Sequence, residues 1–92
     1  MAEGMNAKIA TVKNHLGIHA RPSALVVRSA SKFKAEIFFS KGETQRINGK
    51  SIMGVMMLAA EQGAQILVEA EGEDENEAVE ILAQLLESNF EV

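Results

Sequence analysis

The segment GIHARPS at residues 17–23 places a nucleophile, a cation and a helix start side by side. Pro22 suits the first turn of a helix, because its fixed φ matches the helix and a missing N–H costs nothing there. Gly17 permits the tight backbone path that leads to His19. The first amides of a helix lack partners within the helix and lie at the positive end of its dipole, so they bind anions. With the guanidinium of Arg21 beside them, these groups predict a phosphate site built around the imidazole of His19.

Other chemistry-bearing side chains are scarce in this chain. It contains no cysteine, and its two histidines are too few for a zinc cage. The sequence therefore predicts no metal and no bound organic cofactor. His15 has no context comparable to that of His19, and we interpret it as an ordinary surface residue.

The composition is that of one compact domain with one modest core, since 47% of the 92 residues are hydrophobic. We place this domain at residues 6–92, after a short tail at residues 1–5. No apolar run approaches the roughly 18 residues that span a bilayer. The acidic start also lacks an apolar signal core, so we expect a cytoplasmic protein without a membrane contact. The net charge of −4 argues against general nucleic-acid binding.

The charges are unevenly distributed, with basic residues concentrated in the first third of the chain and acidic residues in the last third. A basic region around His19 would attract an anionic group or an acidic partner. Arg28 and Lys32 follow Arg21 at helical spacing, and they form either a solvated face or a fringe for such a partner.

Hydrophobic periodicity predicts seven elements in the order βαββαβα. The predicted strands cover residues 7–13, 35–39, 44–47 and 65–71, and the predicted helices cover residues 20–33, 52–58 and 75–88. Residues 41–42 predict a hairpin turn, and Phe38 in the preceding strand needs partial cover on the outer face. Ser51 is the predicted N-cap of the second helix, and Asp74 with Glu77 predicts a capping box at the third. Helices gathered on one face of a mostly antiparallel four-stranded sheet form an open-faced β-sandwich of the α+β class.

Two segments resemble the HPr family, the histidine-containing phosphocarrier proteins of the bacterial sugar phosphotransferase system. Residues 17–22 (GIHARP) look like the active-site segment of that family, and residues 50–56 (KSIMGVM) look like its regulatory-serine segment. Their separation also fits, and the resemblance extends from about residue 7 to about residue 90. It implies a bacterial phosphoprotein that carries a phosphoryl group in sugar transport, as an intermediate of a relay rather than a stand-alone enzyme.

The resemblance also implies roles for individual residues. His19 would accept a phosphoryl group at Nδ1 from phosphorylated enzyme I and pass it to a IIA component of a sugar permease. Arg21 would neutralise phosphate oxygens, the backbone N–H groups of Ala20 and Arg21 would complete the cradle, and Pro22 would fix the helix start. Ser51 would be phosphorylated by an HPr kinase/phosphorylase, and the product would act with a catabolite-control transcription factor.

The second predicted helix contains more apolar surface than a short helix can bury. The resemblance implies that Ile52, Met53 and Met56 form a docking patch, where flexible thioethers adapt to several partners. The methionines could equally fill gaps in the core, which is the usual use of methionine. The sequence alone does not assign both Met53 and Met56 to the surface. We expect the protein to be a monomer.

Three functions of different classes follow from these observations. The leading prediction is phosphoryl carriage in sugar uptake. The second is a mainly regulatory phosphoprotein, of a nitrogen-type or catabolite-control branch, with little role in sugar transport. The third is a purely structural interaction domain, against which the presence of His19 and Arg21 argues.

Overall fold

Seven elements follow one another along residues 6–90, the part of the chain that the computed structural model describes. They are β1 (Asn6–Thr11), α1 (Ala20–Ala30), β2 (Glu36–Lys41), β3 (Thr44–Asn48), α2 (Ile52–Met57), β4 (Gln65–Glu71) and α3 (Glu75–Leu86). The predicted order βαββαβα is confirmed. The predicted tail, residues 1–5, lies outside the described residues.

The four strands form one open sheet in the order β1-β4-β2-β3. Every pair is antiparallel, with Ala10 opposite Ile66 and Phe39 opposite Val68. Because side chains alternate across a strand, Ile66, Val68 and Ala70 of β4 all point to one face, and all are fully buried. The α+β open-faced sandwich predicted from the sequence is confirmed, and the sheet is antiparallel throughout.

The helices pack on the buried face of the sheet, and the core lies between these two layers. It joins residues from every layer, such as Phe39 of β2, Val26 of α1, Val55 of α2 and Leu82 of α3, each at most 1% exposed. Helix α3 packs on β1 and β4, while α1 packs against both α2 and α3. This packing fixes the start of α1 relative to the end of α3.

The outer face of the sheet carries the cover that Phe38 was predicted to need. The guanidinium carbon of Arg46 lies 4.0 Å from the centre of the Phe38 ring, which is the geometry of a cation–π contact. Nη1 of Arg46 also lies 3.2 Å from Oε1 of Glu69 on β4. A charged side chain thus shields the aromatic ring from water on the open side of the sheet.

The predicted capping box at the start of α3 is wrong. Asp74 does precede the helix, but its carboxylate caps nothing there. Its two oxygens instead accept hydrogen bonds from the backbone N–H groups of Lys34 and Ala35, each at 2.9 Å. Glu75, rather than Glu77, reaches back to the chain before the helix and accepts from Gly72 N at 3.1 Å. The carboxylate therefore ties α3 to the connection between α1 and β2.

Several predicted boundaries differ by a few residues from those observed. Strand β1 ends at Thr11, because Val12 bonds to the loop before β4, donating to Ala64 O at 2.8 Å. Helix α1 ends at Ala30, and Phe33 continues as a turn that donates to Ala30 O. Strand β2 runs through Lys41, so the hairpin turn is at residues 42–43. Helices α2 and α3 end at Met57 and Leu86, one and two residues earlier than predicted.

Candidate functional site

His19 occupies the N-cap position of α1 with an extended backbone, φ −107° and ψ −159°. Its side chain is exposed and caps no amide of the helix. The residues before it are fixed: Ile18 is buried, and its N–H donates to Ala60 O at 2.8 Å. Gly17 has a φ of +76°, and a Cβ at this position would lie 2.6 Å from the same carbonyl oxygen. An exposed imidazole therefore projects from a rigid backbone.

The first turn of α1 leaves two amide donors without partners in the part of the chain that the structure describes. Ser23 N donates to His19 O at 2.8 Å and closes the turn, and Pro22 has no N–H to offer. Within residues 6–90, the N–H groups of Ala20 and Arg21 donate to no carbonyl or side chain. The first turn also contains no acidic residue. The positive end of the helix dipole is thus open to an anion from solvent.

Arg21 shares an open cleft with His19. This cleft, which we call the His19 cleft, has a volume of about 760 Å³ and is lined by Asn14, Leu16, His19, Arg21, Pro22, Asn89 and Phe90. The Arg21 side chain is exposed and forms no ion pair within residues 6–90. Its charge is available for an anion, since no carboxylate of the described chain neutralises it.

Four residues that line the His19 cleft were not among the site residues predicted from the sequence: Asn14, Leu16, Asn89 and Phe90. Leu16 is 73% exposed, and Asn89 and Phe90 reach the cleft from beyond the end of α3. The order of residues contains no local signal for this, because the packing of α3 on β1 and β4 carries the end of the chain there. His15 is exposed but does not line the cleft, in keeping with its interpretation as a surface residue.

Ser51 caps α2, as the sequence predicts. Its Oγ accepts a hydrogen bond from Gly54 N at 3.1 Å, and the residue is partly exposed. A Cβ at Gly54 would lie 2.6 Å from Cγ2 of Ile47, so α2 sits closely on β3. Because α2 also packs against α1, the two sequence segments become neighbouring helices, although no residue of α2 lines the His19 cleft.

Helix α2 exposes most of its apolar side chains. Met53 is 69% exposed, and Ile52 and Met56 are each 41% exposed. Met57 is 64% exposed, whereas Val55 is fully buried and anchors the helix in the core. We call Ile52, Met53, Met56 and Met57 the α2 patch. Contiguous exposed apolar surface of this kind marks interaction sites in soluble proteins.

No group of three or more His, Asp or Glu side chains within residues 6–90 is arranged to hold a metal ion. None of the three helices in that range combines the length and apolar character needed to cross a bilayer. Arg28 and Lys32 are both exposed and form no ion pair with any described residue.

Comparison with known proteins points to one family. A family model described as the PTS HPr component phosphorylation site matches residues 6–88. The phosphocarrier protein HPr of Xylella fastidiosa is 49% identical over 81 residues, which cover 87% of this chain and 89% of the relative. The crystal structure of HPr from Bacillus anthracis superposes with a TM-score of 0.84 at 42% identity, covering 90% of this chain and 98% of that one. The solution structure of Crh, described as the Bacillus subtilis catabolite repression HPr, gives a TM-score of 0.68 at 40% identity, covering 95% and 100% of the two chains.

Proposed function

The chain belongs to the HPr family of phosphocarrier proteins of the phosphotransferase system, and on this premise we propose that His19 is its phosphoryl acceptor. The donor is phosphorylated enzyme I, and the next acceptor is a histidine of a IIA component. One observation supports this assignment above the others. The imidazole of His19 is exposed at the N-cap of α1, beside two amides and the guanidinium of Arg21 that have no partner within residues 6–90.

The transfer needs few groups from this chain. In neutral His19 the lone pair at Nδ1 forms the new N–P bond while the P–N bond to the histidine of the donor breaks, and the released ring keeps the electron pair. Water takes no part in this transfer. A second exchange of the same kind then passes the phosphoryl group from His19 to a histidine of the IIA component. Arg21 and the amides of Ala20 and Arg21 stabilise the charge on the phosphoryl oxygens. Since the donor and most of the surroundings come from the partner, the chain acts as a carrier.

The α2 patch is the proposed docking surface for enzyme I and the IIA components. Ile52, Met53 and Met56 offer apolar contact area beside the helix that bears His19. Methionine side chains adapt to different partners because they are unbranched and polarisable. We propose that the protein docks these partners in turn as a cytoplasmic monomer, the state expected from the sequence.

Ser51 is the proposed regulatory site, modified by an HPr kinase/phosphorylase. Its hydroxyl lies at the N-terminal end of the α2 patch, between Lys50 and Ile52. A phosphate adds a charge of about −1.5 to −2 at pH 7. Placed at the edge of an apolar docking surface, this charge weakens contact with an acidic or apolar partner, and the modified form pairs instead with a catabolite-control transcription factor.

A mainly regulatory role is the second candidate function. The likeness to the catabolite repression HPr of Bacillus subtilis, at 40% identity over nearly the whole chain, favours it. The two functions differ in which phosphorylated residue matters. A regulatory protein of this kind loses its cellular effect with Ser51→Ala, whereas a sugar-transport carrier loses it with His19→Ala.

Transfer from phosphoenolpyruvate through enzyme I tests the leading proposal. Radiolabelled phosphoenolpyruvate with enzyme I is expected to label the wild type and to leave His19→Ala unlabelled. His15→Ala is the matched control, because it removes the other imidazole and should label like the wild type. Label that persists in His19→Ala would assign the acceptor to another residue.

A further inference from the structure

The amide side chain of Asn89 has no role in the site described so far. Four side chains of the His19 cleft are polar: Asn14, His19, Arg21 and Asn89. Asn14 is already engaged, because its Nδ2 donates to Gly17 O at 2.7 Å and holds the loop before His19. Asn89 is exposed and makes no hydrogen bond with any other residue of the described chain. The His19 cleft thus contains an amide donor, that of Asn89, with no hydrogen-bond partner within residues 6–90.

The residues on either side of Asn89 are anchored. Oγ of Ser88 donates to Leu85 O at 2.6 Å and accepts from Phe90 N at 3.3 Å. Phe90 is only 5% exposed and belongs to the core, although its φ is +50°. An aromatic residue adopts this left-handed conformation only where its surroundings impose it. The backbone of Asn89 is therefore fixed between a hydrogen-bonded serine and a buried ring.

A further contact ties this segment to the strand that leads towards His19. Oε2 of Glu87 accepts a hydrogen bond from Thr11 N at 2.9 Å. Thr11 ends β1, and the chain continues from there into the loop that carries the imidazole. This hydrogen bond and the packing of α3 on β1 therefore hold the segment that contains Asn89 close to the start of the His19 loop.

We infer that Asn89 contacts the phosphoryl group, its Nδ2 donating to a phosphoryl oxygen on phosphorylated His19 from the part of the cleft that lies beyond the end of α3. The inference rests on the proposed function for the identity of that group. A phosphoryl group presents three strong acceptor oxygens, and α1 supplies two free amides at most, because Pro22 has none. A neutral carboxamide adds a donor without adding another positive charge. It stabilises the phosphorylated state less than a second cation would, so the group can still leave.

Chemical phosphorylation tests the contact without enzyme I. Phosphoramidate transfers its phosphoryl group to a histidine ring, as its own P–N bond breaks and ammonia leaves. In a ¹⁵N-labelled His15→Gln background, where His19 is the one imidazole of the chain, the side-chain amide protons of Asn89 should move downfield on phosphorylation. The amide of Gln84, exposed on α3, should not move and serves as the control. Unmoved Asn89 resonances in fully phosphorylated protein would overturn the inference.

Equilibrium measurements with enzyme I give a second readout. A hydrogen bond to a charged group at an exposed site predicts that Asn89→Ala lowers the equilibrium constant for phosphorylation about three- to tenfold. Asn89→Asp should lower it further, because a carboxylate repels the phosphoryl oxygens. Gln84→Ala is the matched control and should stay within about twofold of the wild type. Equal constants for Asn89→Ala and Gln84→Ala would contradict the contact.

The two experiments separate this inference from the proposed function. If enzyme I phosphorylates the wild type but the Asn89 amide resonances do not shift on phosphorylation, the contact is refuted and the phosphoryl relay still stands. A shift of the Asn89 amide under phosphoramidate, with no transfer from enzyme I, would support the contact and refute the relay.

Discussion

Gly17→Ala tests whether the loop before His19 is rigid because of one close approach. Gly17 has a φ of +76°, and an added Cβ would lie 2.6 Å from Ala60 O and 3.1 Å from Cα of Glu61. Both neighbours are backbone atoms, and Ala60 O already accepts a hydrogen bond from Ile18 N at 2.8 Å. The added methyl group cannot be accommodated by rotating a side chain. Either the loop or the segment before β4 must shift.

Gly42→Ala is the matched control for the size of this effect. Gly42 also has a positive φ, +57°, but a Cβ there meets nothing within 4 Å. A left-handed alanine costs about 1 to 2 kcal/mol, partly offset by about 0.4 to 1 kcal/mol from the stiffer unfolded chain. Both variants share this net cost. Overpacking adds about 1 to 3 kcal/mol at Gly17 alone, which is therefore the expected difference between the two variants.

Urea unfolding measures that difference. With an m-value of about 1.2 kcal/mol/M for a domain of this size, the midpoint of Gly17→Ala should lie about 0.8 to 2.5 M below that of Gly42→Ala. The two m-values should agree, since neither change alters the surface that unfolding exposes. Equal midpoints would refute the reasoning, because they would show that the loop moves away from Ala60 at little cost.

The remaining predictions concern charge and buried polarity. Arg21→Ala should slow phosphoryl transfer from enzyme I about 10- to 100-fold, since a charge-assisted contact is lost. Arg28, exposed on the same helix, provides the control, because Arg28→Ala should leave the rate unchanged. Equal rates for the two variants would show that Arg21 does not contact the phosphoryl group. The Oγ of Ser23 is buried without a partner among the described residues, so Ser23→Ala should raise the free energy of unfolding by about 1 kcal/mol, and a loss of stability in thermal unfolding would contradict this. The backbone N–H of Lys34 lowers the pKa of Asp74 from its ordinary value of 3.8, and that of Ala35 adds to the effect. Stability from this carboxylate is therefore present above that value and lost as the pH falls through the lowered pKa. Acid titration of unfolding should show this loss in the wild type and not in Asp74→Asn, and parallel curves would exclude it.

Features that depend on residues close together in the chain were predictable from the sequence. The alternation of Ile66, Val68 and Ala70 placed β4 at its observed bounds, and Ser51 caps α2 because a cap depends on residues three positions away. The exposed His19 beside Arg21 follows equally from one short segment, although its role as phosphoryl acceptor stays a prediction.

Features decided by distant contacts were not predictable in this way. The carboxylate of Asp74 was predicted to cap the start of α3. It instead accepts hydrogen bonds from two backbone amides 39 and 40 residues earlier in the chain. Asn89 and Phe90 reach the His19 cleft only because α3 packs along β1 and β4. The hydrophobic periodicity of one segment carries no information about its contacts with segments that are far away in the chain.

In capping α2, the hydroxyl of Ser51 acts as a hydrogen-bond acceptor and does not use its own O–H as a donor. The oxygen receives the amide proton of Gly54 through a lone pair, which leaves its own hydrogen unengaged by that bond. A base on a modifying enzyme can therefore remove this hydrogen while the first turn of α2 keeps its capping hydrogen bond. After the reaction, an ester or terminal oxygen can keep the Gly54 amide satisfied. The proposed phosphorylation of Ser51 would thus change the electrostatic character of the surface and would require no unwinding of the helix beneath it.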